Sequence, residues 1–106
     1  MKTFTIIFYS DAGHGWGKVK RQVLRNLNLI DKISTYSYQY KDNVYLEEDC
    51  DLSVLCQALN ERGTKIKFVE KNCATYSKIR SYEHFSMQED DTILPANRQE
   101  QPVCMA

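Results

Sequence analysis

The strongest constraint on the fold is the order in which the hydrophobic period changes along the chain. Residues 3–9 alternate, Phe4, Ile6 and Phe8 against Thr3, Thr5, Ile7 and Tyr9, and read as a central strand with two largely apolar or β-prone faces. From 17 to 28 the period lengthens. Val19, Val23, Leu24 and Leu27 form one stripe while Lys18, Lys20, Arg21, Gln22 and Arg25 face water, the signature of an amphipathic helix. Residues 33–40 return to period two, with Tyr36, Tyr38 and Tyr40 in register. Lys41-Asp42-Asn43 suits a hairpin turn, and Val44 to Glu47 is the returning strand. Asp49 or Asp51 can cap a second helix, whose stripe is Leu52, Leu55, Cys56 and Leu59. Gly63 stands at its C′ position, and residues 65–70 alternate as a further strand.

The order is therefore β-α-β-β-α-β. It predicts an α+β, ferredoxin-like fold with an antiparallel sheet in the order 4-1-3-2, plus a C-terminal extension. Three connections then share one end of the sheet: the glycine loop, the turn at Lys41 to Asn43 and the turn at Arg62 to Thr64. Residues 1–85 are read as one domain, with 71–85 as a fifth edge strand or a strap over the sheet. Residues 86–106 turn acidic and then Gln/Asn/Pro-rich, and are read as a loosely held tail on which Ile93-Leu94 can dock. There is no internal repeat.

The chemistry points to Ser10–Lys18, which holds three of the four glycines, the sole tryptophan and one of the two histidines. Read as a strand-to-helix loop, it offers glycines for positive φ or close approach, and unpaired helix N–H groups for an anion. Residues 12–18 approach a phosphate-binding loop, yet Ala12 stands at the first glycine and Val19 where a Ser or Thr hydroxyl binds magnesium. Asp11 and His14 are the candidate orienter and base if the protein is an enzyme, with Lys18 or Arg21 adding charge at an oxyanion. A lone Asp-x-x-His is a weak signal, and no complete catalytic set is present. Trp16, if exposed, is an interface anchor; the plainer reading has it stapling the loop to the first helix through Val19 or Val23.

Charge and cysteines narrow the classes. Lys+Arg and Asp+Glu balance at 14 each, which disfavours a general polyanion binder. The charges are segregated, with Lys18, Lys20, Arg21 and Arg25 early and Glu47, Glu48, Asp49 and Asp51 in the middle, as suits a protein partner with its own charge pattern. Tyrosines on a sheet can stack RNA bases, but the third predicted strand ends in adjacent carboxylates, so nucleic acid is disfavoured. Cys50, Cys56, Cys73 and Cys104 lack C-x-x-C spacing and are read as free thiols, with no metal and no cofactor expected. The N-terminal apolar run is too short to span a membrane, and no cleavage site follows it.

Four stretches carry a resemblance: Ser10-Asp11-x-Gly13-His14-Gly15-Trp16-x-Lys18-Val19, Val44 to Asp51, Lys32-Ile33-Ser34-x-Tyr36-Ser37-Tyr38, and Ser77 to Tyr82. Together they resemble a family of small proteins from tailed bacteriophages, over roughly residues 4–85. The chain departs from the pattern at Ala12, where proline is expected. The resemblance implies a viral accessory protein in the cytoplasm of an infected bacterium, one that binds and inhibits a host protein such as a defence factor. No catalytic residue is carried over. The expected contact residues are Asp11, Gly13, His14, Gly15, Trp16, Lys18, Arg21, Glu47, Glu48 and Asp49. The alternative is a small-molecule or nucleotide binder, or a small hydrolase, using Asp11 to Lys18. Exposed tyrosines on the open sheet face would favour a homodimer.

Overall fold

The computed structural model describes residues 2–75 and 77–92. The chain is a mixed α+β fold. Strands β1 (Thr3–Ser10), β2 (Gly15–Lys20), β3 (Tyr38–Tyr40), β4 (Asn43–Glu47), β5 (Lys65–Asn72) and β6 (Glu83–His84) form one sheet, with helices α1 (Arg21–Asn26) and α2 (Asp51–Glu61). The sheet order is β5-β1-β2-β4-β3-β6. β1 and β5 run parallel; every other neighbouring pair is antiparallel.

The β-α-β-β-α-β order is present, but it begins at β2. The stretch read as a glycine loop leading into a helix is a β-hairpin, and Gly15–Lys20 is its second strand. This intercalates a strand between the predicted first and third strands, so the sheet is mixed and not the four-stranded antiparallel one. The first helix shrinks to Arg21–Asn26, and Val19 belongs to the sheet. The ends of the sheet change with it. The Asp11–His14 loop lies where β1 and β4 finish, since Glu48 N–H donates to Gly15 O at 3.0 Å. The Lys41-Asp42 turn lies at the opposite end, since Arg21 N–H donates to Asp42 O at 2.7 Å. The Arg62–Thr64 turn shares that far end, because Lys65 N–H donates to Lys2 O. The three connections therefore do not form one rim.

Alternation sorts the side chains into two layers. One face carries Ile6, Val19, Val44 and Leu46 against Leu24, Leu29, Ile30, Leu52, Leu55 and Leu59 from the helical side. The other carries Trp16 and Tyr45, with Tyr9 and Tyr38 beside them, covered by Ile79 and Tyr82. Of the stretch 71–85, residues 71 and 72 end β5, while a 3-10 turn (Lys78–Ser81) straps the aromatic face and β6 adds an edge strand. Gly15 and Gly17 keep ordinary φ values. Their role is close approach: a Cβ on Gly15 would strike the Phe8 ring, and one on Gly17 would lie 2.7 Å from Leu52 Cδ1.

Helix α2 ends as its sequence indicates. Gly63 has φ +73°, its N–H reaches Asn60 O, and Thr64 N–H reaches Leu59 O, which is a Schellman stop. Its start differs from expectation. Cys50 is the N-cap, and neither Asp49 nor Asp51 caps. Asp51 Oδ2 instead accepts from Ser34 N–H, the Ser34 hydroxyl and the Ser37 hydroxyl, tying residues 34–37 to the helix. Of the segment expected as a tail, residues 86–92 are described, and within them Asp91 is buried and accepts from Arg21 Nε at 3.0 Å and Arg25 Nε at 2.7 Å. Docking of Ile93-Leu94 lies outside the described residues, as does Cys104.

Candidate functional site

The hairpin loop is built around one carboxylate. Asp11 Oδ1 accepts the backbone N–H of Gly13 at 3.0 Å and of His14 at 3.1 Å, closing the turn locally. Its Oδ2 accepts Ser77 N–H at 3.0 Å and Arg80 Nε at 2.6 Å, while Arg80 Nη2 donates to Oδ1 at 2.8 Å. The side chain is 1% exposed, so this fork clamps the strap to the hairpin. The Arg80 guanidinium, then the Ser77 N–H, hold the Asp11 carboxyl well below the usual carboxylate range against the opposing effect of burial. Gly13 leaves room for the guanidinium: a Cβ there would lie 3.1 Å from Arg80 Nη2.

Beside this clamp, on the aromatic face, lies a cleft of about 310 Å³. Trp16 forms its floor, 2% exposed, with Tyr38 edge-on at a centroid distance of 6.2 Å. The Arg80 guanidinium carbon sits 5.5 Å from the Trp16 ring centroid, and His14 leans on the indole at 6.2 Å. His84 stacks on Tyr38 at 4.7 Å, and its Nδ1 donates to Thr35 O at 2.8 Å, leaving Nε2 as the second ring nitrogen. Tyr36, 68% exposed, forms the outer wall. The acidic side comes from the end of β4. Glu47 Oε1 accepts Asp49 N–H and Cys50 N–H at 2.9 and 3.0 Å, which orders the turn before α2. Its Oε2 lies 3.9 Å from His14 Nδ1, beyond hydrogen-bond reach and close enough for a charge contact with protonated His14. Because Arg80 is matched by Asp11, Glu47 and Asp49 leave the cleft with an acidic balance.

The structure therefore gathers His14, Trp16, Glu47 and Asp49, four of the ten expected contact residues, into one wall. The other six go elsewhere. Asp11 and Gly13 build the clamp. Gly15 is buried under Phe8 on the helix side. Glu48 is exposed beside the cleft, with its N–H on Gly15 O. Lys18 lines a different hollow on the same face. Arg21 is at the far end, buried in its pair with Asp91. Trp16 is neither an exposed anchor nor a staple to the helix, since it packs on the face opposite α1. Arg80, His84, Tyr36, Tyr38 and Cys50 complete the cleft and lie outside the ten expected contact residues. The period-two tyrosines were the available signal for two of them and the Ser77–Tyr82 motif for Arg80, which arrives from the strap, while His84 arrives from β6.

The His14 backbone N–H donates to Asp11 Oδ1 and the Asp11 N–H donates to His14 O, and no hydrogen bond joins the two side chains among the described residues. The Gly13 and His14 N–H groups are already given to Asp11, so the loop does not present them to a phosphate. Trp16 Nε1–H is buried with no acceptor among the described residues, an unsatisfied donor in the cleft floor. Among the described residues no group of three His, Cys, Asp or Glu side chains converges as a metal site, and no helix is long and apolar enough to cross a membrane. No family model, curated protein or solved structure matches this chain.

Proposed function

We propose that the protein is a small viral accessory domain that binds a bacterial host protein, such as a defence factor, through the acidic aromatic cleft and thereby blocks it. The observation that carries the reading is the meeting of the two longest motifs, the Gly-His-Gly-Trp hairpin and the Val44–Asp51 stretch, in that cleft. Its size, about 310 Å³, lies at the small end of ligand pockets and fits one long side chain better than a cofactor. Aromatic walls with carboxylates at the rim select a cation: a partner's Lys or Arg head lies over Tyr36 or Tyr38 while Glu47 and Asp49 complement its charge. Arg80 over Trp16 is an intramolecular instance of the same contact. The viral and inhibitory parts of the reading rest on the resemblance of the motifs.

The test is capture from host bacterial lysate by wild type and by Tyr36→Ala/Asp49→Lys. Both positions are exposed, so the variant keeps its melting temperature. The expected result is one stoichiometric host protein on wild type, lost by the variant and released by high salt. Equal capture by both proteins removes the cleft from the interaction. No captured protein removes the reading itself.

A further inference from the structure

The strap divides the aromatic face into two hollows of opposite charge. The second measures about 320 Å³ and lies toward the Lys41-Asp42 turn. Lys18 from β2, Lys41 from the hairpin turn and Lys78 from the strap line it. None of the three takes part in an ion pair among the described residues. Tyr40 and Tyr82 stack there at 4.6 Å with an interplanar angle of 11°, and Tyr40 is 45% exposed. Lys41 Nζ sits 5.3 Å from the Tyr40 centroid. Asn43 lies opposite Tyr40 in the ladder, and its Oδ1 is buried without a donor.

We infer that this basic aromatic hollow binds a nucleoside phosphate, as a free nucleotide or as one unit of a single strand. Three ammonium groups with no ion pair among the described residues attract the phosphate. A base stacks on the Tyr40 face away from Tyr82 once Lys41 Nζ leaves the ring for the phosphate. Asn43 Oδ1 is an acceptor for the exocyclic amine or ring N–H on a base edge, and a buried acceptor without a donor is costly until one arrives. Inorganic phosphate uses the lysines and leaves the ring and the acceptor idle. An acidic side chain likewise brings charge without a ring or an N–H. The inference is independent of the partner reading, because it shares no lining residue with the acidic cleft.

The experiment is a set of NMR titrations of the full chain at low salt with AMP, ribose 5-phosphate and a short single-stranded oligoadenylate. AMP is expected to shift Tyr40, Tyr82 and Asn43 resonances and to bind at least tenfold more tightly than ribose 5-phosphate. Lys41→Asn/Lys78→Glu is expected to weaken AMP at least tenfold; Asn suits the left-handed φ of +54° at position 41. Tyr40→Ala weakens it several-fold, and Asp49→Asn in the other cleft leaves it unchanged. Oligoadenylate far tighter than AMP, with a log–log salt slope near −2 for three phosphate contacts at roughly 0.7 each, identifies a strand as the source. Equal affinities identify the free nucleotide. Ribose 5-phosphate binding as well as AMP, no binding of either, or binding untouched by the lysine variant with an unchanged melting temperature overturns the inference.

Discussion

The helix-facing side of the sheet and its strap-facing side are built from the same strands by opposite means. On the helix side, Ile6, Val44, Leu46 and Leu55 are fully buried, and aliphatic contact seals the layer. On the strap side the side chains are aromatic, and a single 3-10 turn covers them, held by polar bonds from Asp11 to Ser77 and Arg80. The helices exclude water over Ile6, Val44, Leu46 and Leu55 at the centre of the face; one short strap excludes it only along a line and leaves a hollow on either flank. The aliphatic side is therefore the stability element, and the aromatic side is the one to which we assign recognition as a proposal. The division of labour follows from how much backbone each covering layer supplies.

Truncating the sealed side gives the largest effect. Leu55→Ala removes a fully buried side chain and is expected to cost about 2–5 kcal/mol in urea unfolding, with Trp16 fluorescence unchanged in the native state. A loss under 1 kcal/mol would show that the helix layer is not the stability element.

Acid tests the polar clamps next. Burial pushes the Asp91 carboxyl up, but Arg21, the Gln88 N–H and Arg25 together outweigh it and bring the carboxyl to about 2. The folded pKa lies below the unfolded one. Its stabilisation, roughly 2 kcal/mol, is complete above the ordinary carboxylate pKa and is lost as pH falls toward 2. Asp11 has the same sign, so the strap should loosen at still lower pH. Urea midpoints across this window in wild type and Asp91→Asn check the prediction: the variant should be less stable near neutrality and have a flatter acid limb.

The smallest effect sharpens the contrast at one strand. Gly17→Ala pushes a methyl toward Leu52 Cδ1 at 2.7 Å, the mobile end of a side chain, and is expected to cost about 1–2 kcal/mol by thermal melting. The strap side should not respond. A red shift of Trp16 emission would show that the two faces are coupled through β2.

Much of the fold was legible because it is local. The strand at residues 3–9, the Lys41-Asp42 turn, the stripe of α2, the Gly63 stop and the final strand each follow from a repeat period or a turn residue. Strand β2 was not legible. Gly15 and Gly17 have no strand propensity, and the residues after them keep a helical spacing as far as Leu27. What makes 15–20 a strand is Phe8 on one glycine, Leu52 on the other, and pairing to both β1 and β4. The same limit applied to the site. His14, Trp16 and the acidic run could be singled out, but Asp11 reads as the orienter of a His14 base until Arg80, distant in sequence, is seen holding it.

The sequence by itself determined the periodicities, the segregation of charge and which residues have the chemistry to recognise a partner. Tertiary structure decided which end of the sheet each loop occupies, that Arg21 is a buried brace and that Arg80 and His84 belong to a cleft. The physical reason is range. Repeat periods and turn preferences act over a few residues, whereas the contacts of Asp11 with Arg80 and of Arg21 with Asp91 join positions 69 and 70 residues apart.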